Sequence, residues 1–198
     1  MAIGAKPNRQ QVKTGIFCLE SWAGDLRSRR SVRPLLEILE QEAGVKFIHR
    51  TVDSRSSFFD LLARWPTYDS YRIGYIACHG DAERLVIGAH RVTLKQLETE
   101  LQRRNISLAK RTLYFGSCGV LSMPKSRLRA FRENIGAEAV CGYKGDDGVD
   151  WLESAAFELL LFDYLTYGRA AAPSGLRDFR NDHRALWKKL DFEADPIA

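Results

Sequence analysis

The chain has 198 residues, of which 45% are hydrophobic and 11% are aromatic, and its formal net charge at pH 7 is +5. A chain of this length and composition can bury a substantial apolar core, which argues against a disordered protein. The positive charge is small, and the basic residues are not interleaved with aromatic residues as on single-strand nucleic-acid surfaces. We therefore do not expect a nucleic-acid partner.

Neither the N-terminus nor the most apolar stretch has the pattern of an export signal or a membrane anchor. Residues 1–14 are polar and basic without an apolar core, so we predict a polar N-terminal extension followed by a single domain over residues 15–198. The most apolar stretch, residues 155–165, contains Glu158 and Asp163 and is too short to span a bilayer. We expect a cytoplasmic protein without a membrane partner.

Short apolar runs alternate with amphipathic segments along the rest of the chain. They predict strands over residues 15–21, 46–52, 72–79, 112–118 and 137–143, and helices over residues 32–43, 57–65, 94–104, 125–134, 151–167 and 176–190. Residues 84–92 predict a small hairpin, and Thr93 predicts the N-cap of the following helix. This alternation is typical of an α/β fold, here a three-layer α/β/α sandwich with a mostly parallel central sheet.

Two of the predicted strands end at a reactive side chain that is followed by glycine. The third ends at His79-Gly80 and the fourth at Cys118-Gly119. Counting back by twos from the two reactive residues reaches Tyr75 and Tyr114, so the histidine and the cysteine lie on compatible strand faces. Ligands of parallel sheets bind at the carboxyl ends of the strands, and a thiol beside an imidazole is a nucleophile with its base. The glycines would leave room for a substrate carbonyl to approach backbone N–H groups.

The same residues also fit purely structural roles. A buried thiol and a hydrogen-bonded histidine could end two strands without catalysing anything. The four cysteines, Cys18, Cys78, Cys118 and Cys141, contain no C-x-x-C pair, and we expect no disulfide. Cys78 and His79 are consecutive strand residues and point to opposite faces, so they do not suit one metal ion. No phosphate-binding glycine motif is present in the sequence, and we predict neither a metal nor a cofactor.

The order of the motifs resembles that of the caspase-like cysteine peptidases, which include caspases, metacaspases, gingipain- and clostripain-like enzymes, separases and the bacterial CHAT domains. His-Gly closes the third strand, a hairpin and a helix follow, and Ser-Cys-Gly closes the fourth; the resemblance covers residues 15–167. It implies a caspase-like sandwich in which His79 is the catalytic imidazole and Cys118 the nucleophile. The backbone amides of Gly80 and Cys118 would be the oxyanion donors. The dyad residues are 39 positions apart, against roughly 50 in caspases.

The resemblance also suggests where specificity would arise. Several relatives have a pocket-lining side chain two residues before the nucleophile, where this chain has Gly116, so aspartate specificity is not implied. The two other segments that contribute to the S1 pocket in the family carry carboxylates in this chain: Glu20, Asp25, Asp146 and Asp147. They favour a substrate with Arg or Lys at P1. The alternative is that Asp146, Asp147 and Asp150 form a turn and cap the next helix.

The resemblance implies a protein substrate and a thiol protease of the kind found in bacterial antiviral defence or cell death. Such an enzyme would be activated by a regulatory protein partner or by self-cleavage. Two functions of different classes remain open. One is a catalytically idle caspase-fold interaction module, and the other is a flavodoxin-like small-ligand or signalling domain that uses the same edge of the sheet.

Overall fold

Strands and helices alternate along the chain in the computed structural model, which describes residues 13–22, 31–145, 149–167 and 173–197. The strands are β1 (Ile16–Ser21), β2 (Phe47–Thr51), β3 (Ile73–Asp81), β4 (Arg84–Ile87), β5 (His90–Thr93), β6 (Thr112–Phe115), β7 (Ala139–Tyr143) and β8 (Phe192–Asp195). The helices are α1 (Arg33–Ala43), α2 (Arg55–Arg64), α3 (Leu94–Arg103), α4 (Lys125–Asn134), α5 (Trp151–Thr166), α6 (Pro173–Asp182) and α7 (Arg184–Lys189). Of the predicted N-terminal extension, only Lys13 and Thr14 lie within the described residues.

The sheet is open, with strand order β2-β1-β3-β6-β7-β8. All neighbours in this order are parallel except β8, which runs antiparallel to β7. The hairpin of β4 and β5 continues from the end of β3, where Asp81 pairs with Arg84. The prediction of an α/β fold with a mostly parallel sheet is confirmed.

Helices cover both faces of the sheet, and each face has its own buried cluster. Helices α2, α3 and α4 pack on what we call the α3 face, where the buried side chains are largely Phe, Leu, Ile and Val. Helices α1, α5, α6 and α7 pack on the opposite face, which we call the α5 face. The molecule is therefore layered as helix, sheet and helix. Among the described residues, no helix combines the length and the apolar character needed to cross a membrane.

Local sequence signals explain where two of the helices begin and where one ends. Thr93 caps α3 as predicted, because its hydroxyl accepts the backbone N–H of Gln96 while the Gln96 side chain accepts the N–H of Thr93. Asp150 caps α5 by accepting the N–H of Glu153 at 2.9 Å. Helix α1 ends at Gly44, whose φ of 65° is a left-handed conformation that favours glycine.

Four elements differ from the prediction. The third predicted strand continues past His79 to Asp81, because its last three residues pair with β4. The fourth predicted strand ends at Phe115 rather than Cys118, because the chain leaves the sheet in a turn where Gly119 has a φ of 65°. The single helix predicted over residues 176–190 is two helices, α6 and α7, which are separated at His183 with φ −117°. Strand β8 was not predicted. Its sequence contains Glu, Ala and Asp, which are poor strand formers, and it becomes a strand by pairing with the edge of β7.

Candidate functional site

Strands β3 and β6 hold a shared register up to the edge of the sheet. Tyr75 pairs with Tyr114, and their rings are 5.2 Å apart between centroids. Three residues further along each strand, the Sγ atom of Cys78 lies 3.3 Å from the Oγ atom of Ser117. The second contact lies beyond the end of β6, so the alignment of the two chain segments continues past the regular strand.

The next position in this register holds His79 and Cys118. Both residues lie on the α5 face, since the His79 ring contacts Trp22 and the Cys118 sulfur accepts the backbone N–H of Val149, and both of these residues pack against the cluster of that face. His79 is exposed and Cys118 is half-buried. The backbone nitrogen of Val149 lies 3.3 Å from Sγ, and its N–H group could also donate to the thiolate form of this sulfur. The structure therefore brings an imidazole in the last part of β3 and a thiol just beyond the end of β6 to the same edge of the sheet, both with access to solvent.

Cys118 differs from the other three cysteines, which are all buried. Burial raises the pKa of the Cys78 thiol to about 12, although the hydrogen bond with Ser117 acts in the opposite direction. Burial likewise raises the pKa values of Cys18 and Cys141 above the ordinary value of 9.0. Because the thiolate is the reactive form, Cys118 is the cysteine best placed for nucleophilic chemistry.

The glycines at the site are required by close packing. A Cβ atom on Gly80 would lie 2.4 Å from Cγ2 of Val120 and 2.8 Å from the carbonyl oxygen of Cys118. A Cβ atom on Gly116 would lie 2.5 Å from the Tyr75 ring. Gly80 therefore lets the end of β3 approach the chain after β6. The absence of a side chain two residues before the cysteine also has a physical cause, because the tyrosine ring occupies that space.

Trp22 extends the same row of strand ends to β1. Ser21 is in register with Cys78, so Trp22 follows opposite His79, and the two rings are 5.1 Å apart between centroids with an interplanar angle of 81°. On its other side, Trp22 contacts the ring of Trp151 at 5.5 Å. Trp22 was not among the residues predicted from the sequence. Its position immediately after a strand that neighbours β3 is the signal that could have identified it.

Glu20, which we predicted to bind substrate, is buried beneath this row of side chains. All its observed partners belong to the chain itself: it accepts hydrogen bonds from Trp22 Nε1 (2.5 Å), His49 Nε2 (2.5 Å), the Val32 backbone N–H (2.6 Å) and Ser31 Oγ (2.8 Å). Burial acts to raise the pKa of this carboxyl, but the hydrogen bonds, led by that from His49, outweigh burial and lower it. The carboxylate supports Trp22 and the start of α1 from below.

The other three carboxylates that we predicted to bind substrate, Asp25, Asp146 and Asp147, lie outside the described residues. Asp150, which the alternative hypothesis treated as a helix cap, does cap α5.

A second buried carboxylate lies deeper on the α5 face. Glu158 of α5 accepts hydrogen bonds from the hydroxyl groups of Tyr75 (2.6 Å), Tyr114 (2.7 Å) and Tyr143 (3.1 Å). Burial raises the pKa of Glu158, and the three tyrosine hydrogen bonds offset this only in part. One glutamate thus ties α5 to β3, β6 and β7 directly below His79 and Cys118.

Comparison with known proteins identifies the family. The model of a family of unknown function, DUF6642, matches residues 13–194. The chain belongs to the DUF6642 family. A search of functionally curated proteins returned no match. The function of this DUF6642 member must therefore be inferred from its site.

Two further site residues of the DUF6642 chain were not predicted from the sequence. Val149 reaches Cys118 from 31 positions further along the chain, and no local pattern indicates such a contact. Glu158 was noted only as a charge that interrupts an apolar stretch. A carboxylate in the middle of a largely apolar helix, facing a strand layer that carries tyrosines, could have indicated its role. Among the described residues, no group of three or more His, Cys, Asp and Glu side chains is arranged to hold a metal ion.

Proposed function

We propose that this DUF6642 member is a cysteine endopeptidase of the caspase-like type, with His79 and Cys118 as its catalytic dyad. The observation that carries the proposal is the shared register of β3 and β6, in which the Cys78–Ser117 contact is followed by His79 and Cys118. The accessibility of Cys118 and the position of both groups at the carboxyl edge of a parallel sheet support the same function. They also favour the caspase-like form of the α/β/α sandwich.

The reaction would proceed in two displacements. His79 takes the proton of the Cys118 thiol, and the sulfur attacks the carbonyl carbon of the scissile peptide bond. The C–N bond then breaks, His79 gives its proton to the leaving amine, and a thioester joins the acyl part of the substrate to Cys118. In the second displacement, His79 deprotonates a water molecule that attacks the thioester carbonyl. The thiol leaves with a proton and the carboxylic acid product is released.

The negative charge that develops on the carbonyl oxygen needs fixed donors. By resemblance to the caspase-like peptidases, the backbone N–H groups of Gly80 and Cys118 fill this role. The close packing of Gly80 against the Cys118 carbonyl supports the assignment, because it holds the two backbone segments together in a fixed geometry.

Substrate preference and control are part of the same proposal. We propose a preference for Arg or Lys at P1, now assigned to Asp25, Asp146 and Asp147 because the Glu20 carboxylate is engaged inside the fold. The resemblance to CHAT-type proteases supports a role in bacterial antiviral defence or cell death. There, a protein partner or self-cleavage would activate the enzyme.

The test combines an electrophilic peptide probe with fluorogenic peptides that differ only at P1. Purified wild-type chain should react with an acyloxymethyl ketone probe at Cys118, located by mass spectrometry, and His79→Ala should lose most of this labelling. Cys118→Ala should abolish both labelling and any peptide cleavage. Cys78→Ala is the matched control, because it removes the neighbouring thiol on the opposite face and should keep both activities.

The rival functions predict different outcomes of the same measurements. Probe labelling no faster than that of a free thiol, unchanged in His79→Ala, would support an idle interaction module and contradict the proposal. Flavin absorbance in the purified protein, or stabilisation by a flavin, would support the flavodoxin-like alternative. Efficient cleavage after Leu or Asp would remove the basic P1 preference while leaving the peptidase proposal intact.

A further inference from the structure

The imidazole of His79 has an unusual environment for a general base. A catalytic base is ordinarily oriented by a third group, which fixes the ring so that one nitrogen faces the nucleophile. Within the described part of the chain, the His79 side chain has no hydrogen-bond partner, and its aromatic contact is the Trp22 ring at 5.1 Å. His79 is also exposed, so its side chain is not held by burial in the core.

Trp22, in contrast, is held on two sides. Its indole N–H donates to Oε1 of Glu20 at 2.5 Å, and its ring contacts Trp151 at the start of α5. Glu20 is itself buried and accepts hydrogen bonds from His49 on β2 and from the backbone N–H of Val32. The indole therefore cannot rotate without losing the hydrogen bond to a buried and anchored carboxylate.

Resting on the proposed function, we propose that Trp22 is the positioning residue of the catalytic imidazole, with Glu20 as its anchor. The edge-on geometry of the two rings, at an interplanar angle of 81°, restricts rotation of the His79 ring and keeps it beside Cys118. This gives the buried Glu20 a role in the reaction that does not require it to touch substrate. It also explains why a carboxylate near the site is placed below the indole instead of next to the histidine.

The first test measures order in the His79 ring and does not depend on activity. Carbon relaxation of labelled histidine rings gives a ring order parameter for each histidine, and His79→Ala assigns the His79 signal. His90, exposed in the β4–β5 hairpin, serves as the internal reference for an unrestrained ring. In the wild type, His79 should be clearly more ordered than His90, and in Trp22→Ala it should fall to the value of His90.

The second test uses peptide cleavage. Trp22→Ala should lower kcat about 10- to 100-fold, the loss expected from misplacing a catalytic group by about 1 Å, with KM changed less than about twofold. Trp22→Phe keeps an aromatic ring but cannot donate to Glu20, and it should show a smaller loss of kcat. It also keeps the test decisive if Trp22→Ala folds poorly.

Matched variants separate positioning from a general loss of structure. Tyr68→Ala also removes a surface aromatic ring, but at the opposite end of β1, where it contacts Phe17 and Tyr71, and it should leave kcat and the His79 ring unchanged. Glu20→Gln weakens the anchor of the indole and should lower both the order parameter of the His79 ring and kcat. Its control is Glu98→Gln, which changes a buried glutamate on α3 and should leave both unchanged.

The outcomes distinguish this inference from the proposed function. An unchanged His79 order parameter in Trp22→Ala overturns the positioning role, whether or not the wild type cleaves peptides. So does an unchanged kcat in an active protein. A wild type in which Cys118 labels no faster than a free thiol, but in which Trp22→Ala lowers the order parameter of the His79 ring, overturns the proposed function and retains the contact between the two rings.

Discussion

Two cysteines at one edge of the sheet lie on opposite faces and differ in their burial and in their hydrogen-bond partners. Cys78 faces the α3 side, is buried, and pairs with the Ser117 hydroxyl. Cys118 is one step further along the shared register, faces the α5 side, is half-buried, and lies next to the strand end that carries His79. Cys18 and Cys141 also belong to the buried cluster of the α5 face. The comparison therefore teaches that the strand face together with the position at the edge of the sheet, and not the residue type, decides which thiol reaches solvent.

The two faces also differ in the partners of their buried carboxylates. On the α3 face, Cys78 belongs to the hydrophobic cluster, and the buried Glu98 of α3 accepts hydrogen bonds from Lys95 of the same helix and from Asn134 of α4. The α5 face contains Glu158 with its three tyrosine partners, and nearer the edge it contains Glu20. Buried polar groups cost free energy unless they are hydrogen-bonded, so a fully bonded network below the candidate dyad indicates that this face is organised around the site.

The largest expected effect is a difference in alkylation between the two cysteines. At pH 7.5, iodoacetamide should modify Cys118 in the native protein while leaving Cys78 unmodified. With a pKa of about 12, Cys78 has a thiolate fraction about 10³-fold below that of an ordinary thiol, and burial also blocks access to it. Peptide mapping by mass spectrometry over a time course gives both rates.

Denaturant provides the control for this measurement. All four cysteines are free, so all four should react once the chain is unfolded. Modification of Cys78 in the native protein at a rate near that of Cys118 would contradict the protection of Cys78 by burial, and with it the distinction between the two faces.

The next largest effect is on stability, and here the substitution of Cys78 should have a larger effect than the substitution of Cys118. Cys78→Ala should lower the free energy of unfolding by about 1–2 kcal/mol, because it leaves a small cavity in the α3 cluster and removes the partner of the buried Ser117 hydroxyl. Cys118→Ala should change it by less than about 0.5 kcal/mol, since the side chain is only half-buried. Urea denaturation of both variants measures this, and equal losses would contradict it.

Much of the fold follows from local patterns in the sequence. The helix predicted over residues 125–134 matches α4 at both ends, because the amphipathic pattern follows Pro124 directly and stops before Gly136. The two-residue period of a strand predicted that Tyr75 and Tyr114 lie on the same faces as His79 and Cys118, and the two tyrosines are paired in the sheet. In both cases, the residues that decide the structure are neighbours in sequence.

The parts that were not predicted depend on partners far away in the sequence. Strand β8 depends on β7, which precedes it by about 50 residues. The four donors of Glu20 come from the end of β1, the start of α1 and β2, so its carboxylate could be recognised as acidic but not as engaged. Sequence patterns thus place reactive groups on an edge of the sheet, whereas tertiary contacts decide which of them face solvent.

The smallest effect, and the one that sharpens the comparison most, is the pH dependence contributed by the two buried glutamates of the α5 face. Burial raises the pKa of Glu158 above its ordinary value of 4.5, so above pH 4.5 the folded state holds the proton more tightly than the unfolded state. The free energy of unfolding contributed by this group therefore falls as pH rises through that interval. In Glu158→Gln this decline should be absent.

Glu20 should give the opposite slope on the acid side. Its pKa is lowered in the fold, because the hydrogen bonds led by that from His49 outweigh the effect of burial. Its contribution to stability is therefore present above the ordinary value of 4.5 and is lost as pH falls through the folded pKa. In Glu20→Gln the acid-side loss should be smaller than in the wild type.

Urea unfolding at pH values between about 3 and 8 measures both slopes, and each unit of pKa difference between the folded and unfolded states corresponds to about 1.4 kcal/mol. The two glutamates lie on the same face of one sheet and both are buried, so burial alone would shift their pKa values in the same direction. Opposite slopes would show that their donors decide the outcome. Glu20 has an imidazole and a backbone N–H among its partners, whereas within the described part of the chain the hydrogen-bond donors to Glu158 are three tyrosine hydroxyls. If the two substitutions remove slopes of the same sign from the wild-type profile, burial dominates at both positions, and the anchoring role of Glu20 beneath Trp22 loses its electrostatic support.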